Sequence, residues 1–236
     1  MSDSRETEAF RALSVVVDPE LDEPITDLDF VHSLIVSSDH DVLVQLRLPT
    51  SFCAPNFAYL MASDAKDVLT ALPWTRSVTV ELIDHHDSKI INAGLAADAG
   101  YRGTFLHEAE DDLEELRTIF HRKAHVAAME RCLTALLKAE PSRQMNEMGR
   151  VVLGDLPNDS VTRALLLRRR VIGLPSSPDS LVMVDHDGND YAEIDVPLAL
   201  RRARSTRISI DGNAHFCRGL LRTRYDDPDR TTVDAL

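Results

Sequence analysis

The run Asp41–Leu48 alternates more cleanly than any other in the chain. Val42, Val44, Leu46 and Leu48 fall on one side, and Asp41, Gln45 and Arg47 on the other. A period of two is the pattern of a β-strand with one face buried, so this stretch demands a sheet with a core on one side. The next residues, Leu48-Pro-Thr-Ser-Phe-Cys-Ala-Pro-Asn-Phe-Ala-Tyr59, leave the strand through a loop carrying Cys53. Pro55 suits the first turn of a helix. Phe57, Leu60, Met61, Ala65, Val68, Leu69 and Leu72 then recur at helical spacing as far as Pro73. A strand over Phe30–Ser37, turned by Ser38-Asp39-His40, precedes this unit, and a third over Ser77–Asp84 follows it. With a helix expected over 5–17 and stopped at Asp18-Pro19, the order is α-β-β-α-β. That order specifies an α+β fold of two layers, with helices on one face of the sheet.

Beyond this domain, assigned to residues 1–88, the pattern changes. Residues 89–106 are rich in Gly and Ala and read as a linker or a loop packed on the first domain, and 107–236 as a mostly helical C-terminal extension. Within the extension the sequence predicts one long helix over 107–139, opened by Glu108, Glu110, Asp111 and Asp112 as a helix dipole favours. A second helix is expected over 158–170. A β-hairpin is expected near 181–195 around Asp187-Gly188-Asn189. A short helix over 197–204, a strand over 207–210 and a helix over 213–222 complete it.

Charge narrows the function classes. The net charge of −13 falls wholly on the first 140 residues, because 141–236 hold 14 Arg against 14 Asp and Glu. An acidic domain is poorly suited to phosphate backbones, so no nucleic-acid partner is expected. No apolar run is long enough for a membrane helix, and the first residues carry no signal-peptide pattern. A cytoplasmic protein with no membrane partner is expected. Three widely separated cysteines, Cys53, Cys132 and Cys217, do not describe a disulfide framework or a Cys-x-x-Cys metal site.

Asp18-Pro19-Glu20, Ile25-Thr26-Asp27-Leu28 and a hairpin ending in Thr50-x-x-Cys53 before a helix occur in one order. Together they resemble the metal–sulfur cluster assembly factor family, which includes PaaD-like and SufT-like proteins, over about residues 8–85. The resemblance implies a non-enzymatic role in building or inserting iron–sulfur clusters, with Cys53 as the functional thiol and Asp18, Glu20 and Asp27 as its acidic companions. It implies transient binding of iron or an iron–sulfur cluster. The implied partners are a client metalloprotein or the assembly machinery, with a homodimer as one way to share ligands. Ala54 stands where the family has proline directly after the cysteine. The extension lacks the cysteine-rich zinc module of PaaD-like proteins. It bears a fainter likeness to proteins accompanying bacterial multicomponent di-iron monooxygenases.

The residues themselves leave alternatives open. A thiol between a strand end and a helix start sits where unpaired N–H groups favour an anion, yet most free cysteines simply pack. Asp18 and Asp27 also serve as helix-stop and turn residues. His215-x-Cys217 reads either as a second metal-binding pair, adding to Cys53, or as packing of a small helix. His121, His125 and Cys132 project within about 40° of one another on a helix, as a metal edge or as a mixed stripe. Asp185–Asp190 has its glycine too early for a calcium loop. His85-His86 reads as an exposed strand end. The competing function is an adaptor that docks a metalloenzyme or assembly partner without touching metal.

Overall fold

The computed structural model describes residues 2–105 and 113–225. The chain forms two compact units, one from residues 1–113 and 213–236 and one from 114–212.

In the first unit, helix α1 (Ser2–Ala12) runs through a 3-10 turn at Leu13–Val15. A two-residue pairing of β1 (Val17–Asp18) with β2 (Glu23–Pro24) follows, with Asp18 opposite Glu23. Strands β3 (Val31–Val36) and β4 (Asp41–Arg47) form the expected antiparallel hairpin, turned at His40 with φ 69°. Helix α2 (Pro55–Thr70) then carries the chain back to β5 (Ser77–Ile83), which lies parallel to β4. The sheet order is β3-β4-β5, with β4 central.

Alternation in β4 does what its pattern requires. Val42, Val44 and Leu46 are buried with Val80 and Leu82 of β5, under α1 and α2. Each such side chain contributes about 1.5–3 kcal/mol through burial. On the opposite face a polar line crosses all three strands: Ser33 donates to Gln45 at 3.0 Å, and Gln45 donates to Glu81 at 2.9 Å.

In place of a linker, the described part of 89–106 packs on the first unit, and does so as two helices, α3 (Ser88–Ala96) and α4 (Gly100–Phe105). Ile91 and Leu95, one turn apart, bury themselves in the first unit's core. Gly94 gives Thr104 room that any Cβ would fill. Alanine and glycine here mean close packing, since alanine is the strongest helix former. Asn92 donates to the Leu82 carbonyl at 3.0 Å and accepts from its N–H at 2.8 Å, satisfying the free edge of β5.

The second unit is built on α5 (Leu113–Ala139), α6 (Ser160–Val171) and the first part of α7 (Val196–Tyr225). Its core gathers Leu133, Leu136, Met148, Leu165, Val182 and Leu200. The acidic start expected for the long helix, Glu108 to Asp112, lies outside the described residues. The hairpin over 181–195 reduces to one bridge, Val184 to Asp190. The Asp185 carboxylate closes that turn on the N–H groups of Asp187 and Asn189, and the chain after Tyr191 turns into α7, with Asp195 accepting from Leu198 and Ala199.

The expected helix, strand and helix over 197–222 are one continuous helix. Ala203, Ile210, Ala214 and Leu221 lie buried at intervals of seven, four and seven along it, a helical stripe that overrides the strand propensity of Arg207–Ile210. Arg207 pairs with Glu130 and with Asp211 one turn on, which holds the middle of the helix. Among the described residues, no helix is long and apolar enough to cross a membrane.

Candidate functional site

Strands β4 and β5 run parallel, so the loops that leave them emerge at the same edge of the sheet. The first carries Cys53 and the second carries His85. His85 is buried, and its Nε2 lies 2.8 Å from the Cys53 carbonyl. Its Nδ1 accepts from the Asp87 N–H at 3.1 Å, which leaves the ring proton on Nε2, donating to Cys53. The His86 N–H donates to the Ser51 carbonyl at 2.8 Å. Within the loop, Phe52 N–H donates to Thr50 Oγ1, which stands 3.5 Å from the Cys53 thiol. The backbone around the thiol is thus held from both sides. Phe52 is 81% exposed and stacks on His86.

Facing the thiol is the acidic turn. Asp18 is 7% exposed, and its Oδ1 accepts from the N–H groups of Glu20 and Leu21, both at 2.9 Å. Its other oxygen, Oδ2, has no hydrogen-bond partner among the described residues. Burial pushes the Asp18 carboxyl up to about 6, against the two backbone N–H groups that pull it down. Glu20 is exposed and accepts from Asn213 Nδ2 at 3.1 Å.

The end of α7 lies against both loops. Arg218 pairs with Glu23. Arg224 donates to the carbonyls of Leu48 and Asp84 and to Ser51 Oγ, at 3.2, 2.8 and 2.8 Å. Tyr225 donates to the Asp84 carboxylate at 2.8 Å, and the Arg47 guanidinium lies 4.4 Å over its ring. This helix brings Cys217 to the Cys53 loop. The two cysteines, Asp18, Glu20 and the apolar side chains of Phe57 and Met61 line one cavity of ≈ 90 Å³. Burial, and then Asp18, Cys53 and Glu20, push the Cys217 thiol up to about 11.

Four of the residues singled out in the sequence therefore meet at one cavity: Cys53, Asp18, Glu20 and Cys217. Two do not. Asp27 is exposed, in a turn closed on the Pro24 carbonyl, and its carboxylate accepts from Thr26. His215 is exposed on α7. The break expected between the strand over 207–210 and the helix over 213–222 is itself helical, and residues two apart on a helix point nearly opposite ways. In the second unit, His125 is wholly buried with neither ring nitrogen hydrogen-bonded, and burial, then Arg169, lowers it to about 4. Cys132 is buried with its Sγ 3.7 Å from the Val161 carbonyl, and burial raises its thiol to about 11.

The expected exposed strand end holds for His86 and not for His85, which is buried, and Arg224 and Tyr225 escaped the sequence reading altogether. The return of the third strand parallel to β4 was a signal for His85, since it places the two loops together. Nothing local marked Arg224 or Tyr225, whose loop partners lie 140 or more residues away.

Thiolates are the ligands that iron and iron–sulfur cargo prefer, and the cavity offers two thiols with carboxylates beside them. A four-thiolate resident cluster exceeds what it supplies. Among the described residues, no three His, Cys, Asp or Glu side chains stand together as a ready metal site.

Comparison with known proteins gives a domain-sized answer. No curated protein matches the chain. A solved structure described as a domain of unknown function, DUF59, from Bacillus anthracis is 21% identical; the match covers 43% of this chain and 96% of that one, with a TM-score of 0.33. The model of the family described as iron-sulfur cluster assembly protein matches residues 6–82. That span runs from α1 through the acidic turn and the Cys53 loop to β5, and α7 with Cys217 lies outside it. It is over residues 6–82, about a third of its length, that the chain is similar to the iron–sulfur cluster assembly protein family.

Proposed function

We propose that the chain is a non-enzymatic assembly or maturation factor that handles iron or an iron–sulfur cluster as transient cargo through Cys53. The observation that supports this best is Cys53 itself. It lies in the matched segment, in a loop fixed by His85, at a cavity whose ionisable neighbours are acidic. Few ligands suit cargo that must leave again, since tight retention needs a complete ligand set. The client is a metalloprotein. Its narrower assignment to a di-iron monooxygenase rests on the likeness of residues 107–236 alone.

The test is anaerobic loading with iron and sulfide, followed by transfer to an apo iron–sulfur acceptor protein. Wild type is expected to accelerate maturation of the acceptor, and Cys53→Ser to lose at least nine-tenths of the effect, roughly a 1.4 kcal/mol difference. Equal acceleration by both would sink the reading. One observation favours the adaptor alternative: Phe52, exposed beside the thiol, offers a partner an aromatic contact that needs no metal. In that case Phe52→Ala would abolish partner binding while Cys53→Ser left it intact.

A further inference from the structure

We propose that Cys217, from the last helix and outside the matched segment, is a second thiolate ligand that acts with Cys53 on a single thiophilic divalent cation. The inference rests on the reading of Cys53 as the cargo thiol, and names what completes its site.

Three observations carry it. The first is placement: α7 puts Cys217 on the wall of the cavity that Cys53 lines, and both thiols are only half-buried, so both remain reachable. The second is the sign of the charge. A nucleophilic or redox-sensing thiol needs cationic surroundings that favour its thiolate. Here the ionisable groups lining the cavity with the two thiols are Asp18 and Glu20. Arg218, adjacent to Cys217 in sequence, is committed to Glu23, and Arg224 to the Leu48 and Asp84 carbonyls and Ser51. Two thiols beside two carboxylates form an electronegative cavity, which a cation relieves and a free thiolate aggravates. The third is Asp18. Its carboxylate is more than nine-tenths buried, with one oxygen doubly hydrogen-bonded and the other left without a partner. Asp18 lines the cavity with the two thiols, so its second oxygen is open to a cation bound between them.

The chain thereby contributes two ligands and the compensating negative charge. The remaining coordination positions are open to water, sulfide or an acceptor's side chains. On binding, each thiol gives up its proton to solvent and its sulfur forms a bond to the cation, so loading releases up to two protons. Phe57 and Met61 exclude water from one side of the cavity, which strengthens these interactions.

Cobalt(II) is the probe, because its thiolate charge-transfer absorption scales with the number of sulfurs bound. The full chain, reduced and metal-free under anaerobic conditions, is titrated with cobalt(II) and then displaced by zinc(II). Wild type is expected to bind one equivalent with a charge-transfer band. Cys53→Ser and Cys217→Ser should each leave about half its intensity, and the double variant none. Cys132→Ser, in the second unit, should match wild type. Asp18→Asn keeps an acceptor for both backbone N–H groups, and should weaken cobalt(II) binding about tenfold while leaving the band shape intact, as loss of a supporting charge does. Circular dichroism and a parallel Cys217→Ala variant separate loss of the ligand from loss of the fold. A full-intensity band in Cys217→Ser, or a wild-type protein with no such band, overturns the proposal. The transfer assay with Cys53→Ser is read independently, so failure of the second ligand and failure of the first are told apart.

Discussion

At the scale of single residues, the most consequential groups are those buried against their own chemistry. His125 has no hydrogen bond to either ring nitrogen, and its pKa falls from 6.5 to about 4. Between those values the unfolded chain takes up a proton that the folded one refuses, so stability falls as pH drops through that window. The loss is about 3 kcal/mol at most, and is absent above pH 6.5. The protection factors of α5 amides, observed exchange corrected for its intrinsic pH dependence, should therefore fall between pH 7 and pH 5. His125→Leu, which removes both unpaired nitrogens, should raise those protection factors and flatten their pH dependence; an unchanged slope would refute this account. Asp18 runs the other way. Its folded pKa of about 6 lies above the usual 3.8, so the folded state gains protons first, and its contribution to stability rises as pH falls from 6 towards 4. Neither residue announces this in sequence. Asp18 was legible as the first member of an acidic motif, but its buried, half-satisfied carboxylate depends on which backbone N–H groups the turn delivers.

At the scale of elements, the end of α7 fastens the two loops that flank Cys53. Arg224 reaches residues on both sides of the sheet edge, and Tyr225 ties Asp84 to the same point. Replacing Arg224 by Ala removes several hydrogen bonds from a charged donor, each worth about 1.5–3 kcal/mol. Alkylation of Cys53 by a neutral maleimide, read by peptide mass, should then quicken several-fold, with Arg224→Lys intermediate because a lysine cannot serve diverging acceptors as a fork. Identical rates in all three proteins would mean that the loop holds itself. The β-hairpin, α2 and the returning strand were all readable from period and punctuation, because each buries one face locally. The middle of α7 was not. Arg207 to Gly212 contains β-branched residues, serine and glycine, and only the partners Glu130 and Arg131, far away in sequence, make a helix the better solution. The same lesson holds at 88–105, where alanine and glycine that look like slack are the means of close helix packing.

At the scale of the whole molecule, the first unit is assembled from two separated stretches, 1–113 and 213–236, with the second unit lying between them in sequence. The matched segment 6–82 is therefore less than the folding unit that contains it. A chain cut after Gly212 should lose stability in the first unit, because Ala214 and Leu221 leave its core. Burial of this kind is worth about 1–3 kcal/mol per side chain, and urea denaturation followed at Trp74 should show an earlier midpoint. A midpoint equal to that of the full chain would show that the first unit's core does not need residues 213–225.

This arrangement also has a consequence during synthesis. A ribosome releases the Cys53 loop long before it makes residues 213–225, and the first unit's core stays incomplete through the whole of the second unit's translation. Until that late helix arrives, Cys53 has neither Cys217 beside it nor Arg224 across its loop. A nascent or truncated chain thus presents Cys53 with its loop held from the His85 side alone, and only a chain extended through Tyr225 presents the braced pair. The order of the gene, in effect, withholds the finished cavity until the second unit has been made.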